Sequence, residues 1–373
     1  MQKLAQESST IAIDAMGGDA GTEVIVAAAG AVLAAEKHLD LILVGDQQRI
    51  ERALTQAGLL QHPAIRVKHT TEVIQSDDSP ASVLRSKKDA SMRVAIELVA
   101  SGEADACVSA GNTGALMALA RYILKMLPDI DRPAICTTVP NKYGHVHWLD
   151  LGANVDSDAA QLMQFAVMGS ALCSVVDGKA SPEVGLLNNG SEAIKGNEQV
   201  KAAAQLIQNS PLNYCGFIEG NDIYNGRVDV IVCDGFVGNI ALKTSEGLAH
   251  FIQSLLKEQF TRNALTKMAA FVAKPVLRAV VDKIDPRRYN GASLLGLNGI
   301  VIKSHGNADK DAFANAIKIA SVEVKKQLPD KIRGMLAQYA VANMPEANLS
   351  ENNMPETTAT NSDLNLHSVS ASD

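Results

Sequence analysis

Seven apolar runs in this chain end in glycine set beside a carboxylate, an amide, a hydroxyl or an imidazole. They give DAMGGD at 14–19, GNTGA at 111–115, DLGAN at 150–154, NNGSEAIKG at 188–196, ND at 221–222, DGFVGN at 234–239 and SHG at 304–306. Glycine next to Asn or Asp is ordinary turn chemistry, so any one of these fits a plain turn. Seven together predict a composite binding site along one sheet edge, because ligands of parallel sheets bind beyond the carboxyl ends of strands.

The loop chemistry points to an anion. SAGNTGALMALA reads as strand, glycine turn and helix, and the free N–H groups and dipole at such a junction attract phosphate. The same residues also fit a tight turn without a ligand. No Gly-Lys-Ser/Thr follows, which excludes a P-loop, and G-x-G-x-x-G is absent there. Nucleophilic catalysis lacks its signature, since there is no G-x-S-x-G elbow. Cys107 and Cys233 lie inside apolar runs and read as core. His145 and His147 stand two apart, and Asp14, Asp150 and Asp234 end strands, but no metal-ligand spacing joins them, so no metal is expected.

These loops need a scaffold. Over 373 residues the pattern alternates apolar run, turn and helical period, which predicts a largely parallel sheet covered on both faces. STIAID, LDLILVG, ADACVSA and VDVIVC read as buried strands. RPAICTTVP and HVHWLDLGAN lie close enough to pair antiparallel. Ser79 and Pro80 read as N-cap and first turn of one helix running to Gly102. Aromatic residues are only 4%, so Ala, Val, Leu and Ile must build the core. A net charge of −7 argues against general nucleic-acid binding. Five scattered cysteines without C-x-x-C, no apolar leader and no membrane-length apolar run predict free thiols in the cytoplasm. Residues 343–373 are polar and aperiodic and read as a disordered tail after a domain spanning 1–342.

In order along residues 11–306, the segments IDAMGGD, SAGNTGA, DLGAN, FIEGND, DVIVCDGFVGN and YNGASLLGLNGIVIKSHG resemble the PlsX family, bacterial phosphate acyltransferases of phospholipid synthesis. At 187–196 the chain departs from the family pattern, with Asn189 where an aliphatic residue is usual and Ser191 where an acid is usual. The resemblance implies a three-layer α/β/α fold similar to isocitrate and isopropylmalate dehydrogenases and phosphotransacetylases, usually as a homodimer. It implies transfer of a fatty acyl group from acyl carrier protein to inorganic phosphate, with no cofactor. The acyl phosphate produced would feed a membrane-bound glycerol-3-phosphate acyltransferase. A phosphotransacetylase-like enzyme using acyl-CoA is the nearest alternative, because both thioesters carry phosphopantetheine.

On this resemblance Lys195 would hold phosphate or the oxyanion, Asn239 would donate to the carbonyl oxygen, and His305 would bind phosphate or protonate the thiolate. Their plainer readings are a solvated loop lysine, a helix N-cap and a loop histidine bonded to backbone. The loop of Gly111, Asn112, Thr113 and Gly114 would cradle phosphate, and Asp234 with Gly235 would shape the next loop. Gly17, Gly18, Asn154, Asn188 and Asn290 would complete the substrate-binding set, with Asp14 and Asp19 orienting the loop more than touching phosphate.

Residues 238–283 are helix-like for longer than any other segment. Over 257–288 there are eight basic and three acidic residues, a local balance of +5. Pro275 should kink or divide this segment. A protruding helical pair at about 245–288, with Arg262, Lys267, Met268, Phe271, Val272, Lys274 and Arg278 on its surface, fits a partner subunit, acyl carrier protein or an anionic membrane. The family's peripheral membrane association points to the last.

Overall fold

A computed structural model describes residues 8–342. The tail expected at 343–373 lies outside the described residues. The chain starts with β1 (Ser9–Asp14), α1 (Thr22–Ala35), β2 (Leu39–Gly45), α2 (Gln47–Gln56) and β3 (Ile65–His69). It continues through α3 (Pro80–Ser86), α4 (Ser91–Ala100), β4 (Ala106–Ser109), α5 (Thr113–Leu124), β5 (Ala134–Pro140) and β6 (His145–Leu149). Then follow α6 (Ala159–Val176), β7 (Glu183–Leu187), α7 (Glu198–Gln208), β8 (Asn213–Ile218), β9 (Val230–Val232), α8 (Gly235–Thr261) and α9 (Ala264–Ile284). The last elements are β10 (Ala292–Leu295), β11 (Ile300–Lys303), α10 (Lys310–Lys325) and α11 (Leu328–Ala342).

Eleven strands form one sheet in the order β3-β2-β1-β4-β11-β10-β5-β6-β9-β7-β8. Alternate side chains point to opposite faces, so each strand serves two cores. Ile11, Ile13, Leu41, Leu43, Val108 and Ile302 pack under α1, α2 and α10. Ala12, Ile42, Val44, Cys107 and Val301 face α4 and α5 on the other side. In the second half Leu149, Val184, Leu186, Val230 and Val232 face α6, α7 and α11. The expected three-layer α/β architecture is therefore present. All five cysteines are free thiols.

Seven of the ten strand pairings are parallel, and the expected antiparallel pair is β5 with β6. Strand directions correct the single-edge expectation. β10 is antiparallel to both β11 and β5, and β5 is antiparallel to β6. Three successive reversals leave β6, β9, β7 and β8 running opposite to β1, β4 and β11. The seven loops thus fall into two sets, three following one direction and four the other.

Three helical expectations also change. The helix expected from Ser79 to Gly102 is two, α3 and α4, because Glu72 bridges to Ala90 and Asp89 accepts from Thr71. The start is as expected: Ser79 accepts from the Ser82 N–H, with Pro80 in the first turn. Pro275 lies within α9, and the break between α8 and α9 is made instead by the capping box of Asn263 and Thr266. α6 is long and apolar enough by length and composition to cross a membrane, yet most of it packs inside the core.

Candidate active site

The first set of loops is organised by Asp14. At the end of β1 its Oδ1 accepts from the Met16 and Gly17 N–H groups and from Ser91 Oγ at 2.7 Å, and its Oδ2 from Ser109 Oγ at 2.6 Å. The carboxyl is buried, and burial, only partly offset by these donors, raises its pKa. Asp14 therefore holds the loop and is not free to touch a ligand. Glycine is required beside it. A Cβ on Gly17 would lie 2.4 Å from Asp14 Oδ2 and 2.8 Å from the Gly111 nitrogen. Gly18, at φ +88°, lies against Ala110 and Gly306.

The Asp19 N–H donates to the Gly306 carbonyl at 2.7 Å, which joins the first loop to SHG. His305 is exposed there, and its N–H donates to Asn290 Oδ1 at 2.9 Å. Asn290 donates in turn to Ser304 Oγ and the Ala312 carbonyl, so its side chain fixes this loop. The Asn112 side chain holds backbone in the same way. It is the N-cap of α5, accepting from Ala115 N–H, while its Nδ2 donates to the carbonyls of Ser76 and Asp78. The Gly111 N–H donates to Ser109 Oγ. Of the expected cradle, the Thr113 and Gly114 N–H groups remain at the helix start, where the dipole favours an anion.

Asp150 organises the second set. Its Oδ1 accepts from the Ile135 and Ala153 N–H groups, and its Oδ2 from both the N–H and Nδ2 of Asn154. Burial again raises the pKa. Asn154 is buried, and its Nδ2 also donates to the Pro133 carbonyl. Asp234 caps α8, accepting from the Phe236 and Val237 N–H groups, and so fixes loop geometry as expected. Gly235 and Gly238 let α8 start against this loop: a Cβ would lie 2.3 Å from the Asn154 carbonyl oxygen and 1.9 Å from that of Asp150, respectively.

Asn239 is exposed in the first turns of α8 with its side chain against Gly152. It is not the N-cap, so its amide is open to a ligand. The neighbouring strand β7 delivers Asn188, whose Oδ1 accepts from the Asn189 N–H. Its Nδ2 is buried without a hydrogen-bond partner, a donor that a bound anion or carbonyl would satisfy. Lys195 is exposed in the same loop, folded over Gly190. Among the described residues no hydrogen bond joins Lys195, Asn239 and His305 to one another.

Lys303, the last residue of β11, is a functional candidate that sequence reasoning misses. Its Nζ donates to the Ala110 carbonyl at 3.3 Å and to that of Ser304. Burial lowers its pKa to about 8; Asp14 and Asp19 oppose the shift, and Lys243 adds to it. Lys243 lies on α8, one turn beyond Asn239, and Lys303 ends β11 beside the loop that follows β4. Its only sequence signal is a charge ending an otherwise apolar strand.

α8 and α9 extend from this region. Leu265, Met268, Phe271, Val272, Val276 and Val280 are all exposed along α9, between its basic residues.

The profile of a family described as "Fatty acid synthesis protein" matches residues 9–331. The chain is similar to a phosphate acyltransferase of Nitrosococcus oceani, 56% identical over 89% of this chain and 98% of that one. It is equally similar to one of Alkalilimnicola ehrlichii, 56% identical over 90% of this chain and 98% of that one. Among solved structures, a phosphotransacetylase of Streptococcus pyogenes superposes with a TM-score of 0.60 at 19% identity, over 85% of this chain and 94% of that one. The fold is thus shared with phosphotransacetylases.

Proposed function

From the premise that this chain belongs to the fatty acid synthesis protein family of phosphate acyltransferases, we propose that it transfers a long-chain acyl group from acyl carrier protein to inorganic phosphate. The chain is an acyltransferase; the donor, the product and the residue roles are our reading. A phosphate oxygen attacks the thioester carbonyl carbon, the C–S bond breaks, and acyl phosphate and a thiolate leave. Phosphate is already an anion at neutral pH, so it needs positioning more than deprotonation. A thiolate leaves with little acid help. The main demand on the protein is donors for the developing oxyanion. A direct transfer without an acyl-enzyme meets all three conditions.

The observation that carries this reading is the set of donors left open when the loop-holding residues are accounted for. These are the Thr113 and Gly114 N–H groups, Asn188 Nδ2, Asn239, Lys195 and His305; the ammonium of Lys303 adds its charge while two of its protons go to the Ala110 and Ser304 carbonyls. Lys195 and Lys303 would neutralise phosphate, Asn239 would donate to the oxyanion, and His305 would bind phosphate or protonate the thiolate. The protein, incubated with palmitoyl-acyl carrier protein or palmitoyl-CoA plus phosphate, should release acyl phosphate and thiol. Turnover of the CoA thioester alone would favour the phosphotransacetylase-like alternative, and no product from either donor would overturn the central claim. Lys195→Ala, Asn239→Ala and His305→Ala should each lower turnover at least ~100-fold. Near-normal activity in a folded variant removes that residue from the set.

The product suits a membrane-bound glycerol-3-phosphate acyltransferase. We place the enzyme in the cytoplasm, as a homodimer attached peripherally to the membrane through α9. The support is the exposed apolar row of α9 among Lys267, Lys274 and Arg278, with Arg262 just before the helix, a pattern that binds anionic bilayers. Changing Met268, Phe271 and Val272 to serine should release the protein from vesicles of anionic phospholipid. Undiminished co-sedimentation would refute the attachment.

A further inference from the structure

At the end of β6 remote from Asp150, two histidines and a carboxylate converge. His145 and His147 are two residues apart on a strand, so they share a face. His145 Nε2 lies 3.0 Å from Asp177 Oδ2, and His147 Nε2 lies 2.9 Å from the same oxygen. Asp177 is the C-cap of α6, 30 residues further along the chain. One ligand atom from each of the three residues falls within a mutual 4.8 Å.

We propose that His145, His147 and Asp177 form a binding site for one zinc ion, which clamps the start of β6 to the end of α6. Donors bound to one zinc at roughly 2.0–2.2 Å lie about 3.0–3.5 Å apart; the two His–Asp separations need to open by only a few tenths of an ångström, and the two imidazole nitrogens, within 4.8 Å of each other, to draw together by side-chain rotation of the more exposed His145. The side chain of Thr138 meets His147 Nδ1 at 3.2 Å. An outer hydrogen bond of this kind fixes the ring and leaves Nε2 for the ion. His147 is 3% exposed, whereas His145 is 38% exposed, so the cluster is rooted in the core and open on one side for entry and for a water ligand. Cys173 Sγ, 3.5 Å from Asp177 Oδ2, adds a soft donor to the surroundings. Imidazole with sulfur nearby suits zinc rather than magnesium or calcium. Spacing could not show this site, because H-x-H receives its third ligand from another element.

Asp150 lies five positions beyond His145, about 16 Å along a strand, so the clamp acts on stability and not on the reacting atoms. Full-length protein, made without a histidine tag and stripped with chelator, is titrated with zinc against a chromophoric competitor. One equivalent should bind with micromolar or tighter affinity, and zinc should raise the thermal midpoint. His145→Ala, at a partly exposed position, should keep the native fold by circular dichroism while weakening zinc binding at least ~10-fold and removing the thermal shift. Asp177→Asn should do the same. Absence of stoichiometric binding, or unchanged binding in both variants, would reduce the cluster to a histidine–aspartate ion pair and overturn the proposal.

Discussion

Asp14 receives two hydroxyls and two backbone N–H groups while almost wholly buried. Asp14→Ala would strand the Ser91 and Ser109 hydroxyls without an acceptor and open the Gly17 turn. A loss on the order of 3 kcal/mol is expected in urea unfolding, with Asp14→Asn losing less because it keeps the shape and one acceptor oxygen. Equal stability of Asp14→Ala and wild type would show that the loop holds without it. Lys303 carries a pH prediction. Its ammonium form prevails below about 8, so a phosphate held by that charge is lost, and kcat/KM falls, as pH rises through about 8. Lys303→Met should erase this limb and lower kcat/KM at least ~10-fold; Lys303→Arg should move the limb upward. A limb unchanged in Lys303→Met would assign it to another group. Neither role was legible in sequence in the same degree. Asp14 stood out as an acid ending a strand, whereas the burial of Lys303 depends on β4 and the loop after it lying alongside β11. Asn112, Asn154 and Asn290 have the composition of ligands, but their amides turn inward to hold backbone.

Among elements, the placement of α8 is the most demanding. Gly238 lies so close to the Asp150 carbonyl that a Cβ would sit 1.9 Å from its oxygen and 2.9 Å from Cys233 Sγ. Backbone on one side and a packed strand end on the other leave nothing flexible to yield. Gly238→Ala should therefore push the first turn of α8 away from the Asp150 loop, at a cost of about 2–3 kcal/mol. It would shift Asn239 and Lys243 with it, so turnover should fall more than the lowered melting temperature explains. Activity matching wild type in a destabilised variant would separate the helix start from the chemistry. Strands were legible because burial on both faces writes them as continuous apolar runs. The division of α3 from α4 was not, since a helical period crosses Lys87–Ala90 and only tertiary contacts of Glu72, Thr71 and Asp89 break it.

Across the molecule, three strand reversals around β10 and β5 decide how the loops meet, and none leaves a strong local mark, because direction depends on which strands become neighbours. At this seam Glu323 of α10 is fully buried with Ser293 of β10 as its hydrogen-bond partner. Burial, only partly offset by Ser293, raises its pKa from 4.5 to about 8. The native state therefore holds this proton more tightly than the unfolded chain does. The stabilisation is complete below 4.5 and is lost progressively as pH rises to about 8, above which the full penalty of a buried carboxylate remains. Glu323→Gln keeps the shape and the partner without the charge. Its denaturation midpoint should exceed that of wild type at pH above about 8, and the difference should narrow as the solution is acidified toward about 5. Parallel pH profiles for the two proteins would mean that Glu323 titrates normally and that the seam, opening to water, does not lock the two halves of the sheet as tightly as its packing indicates.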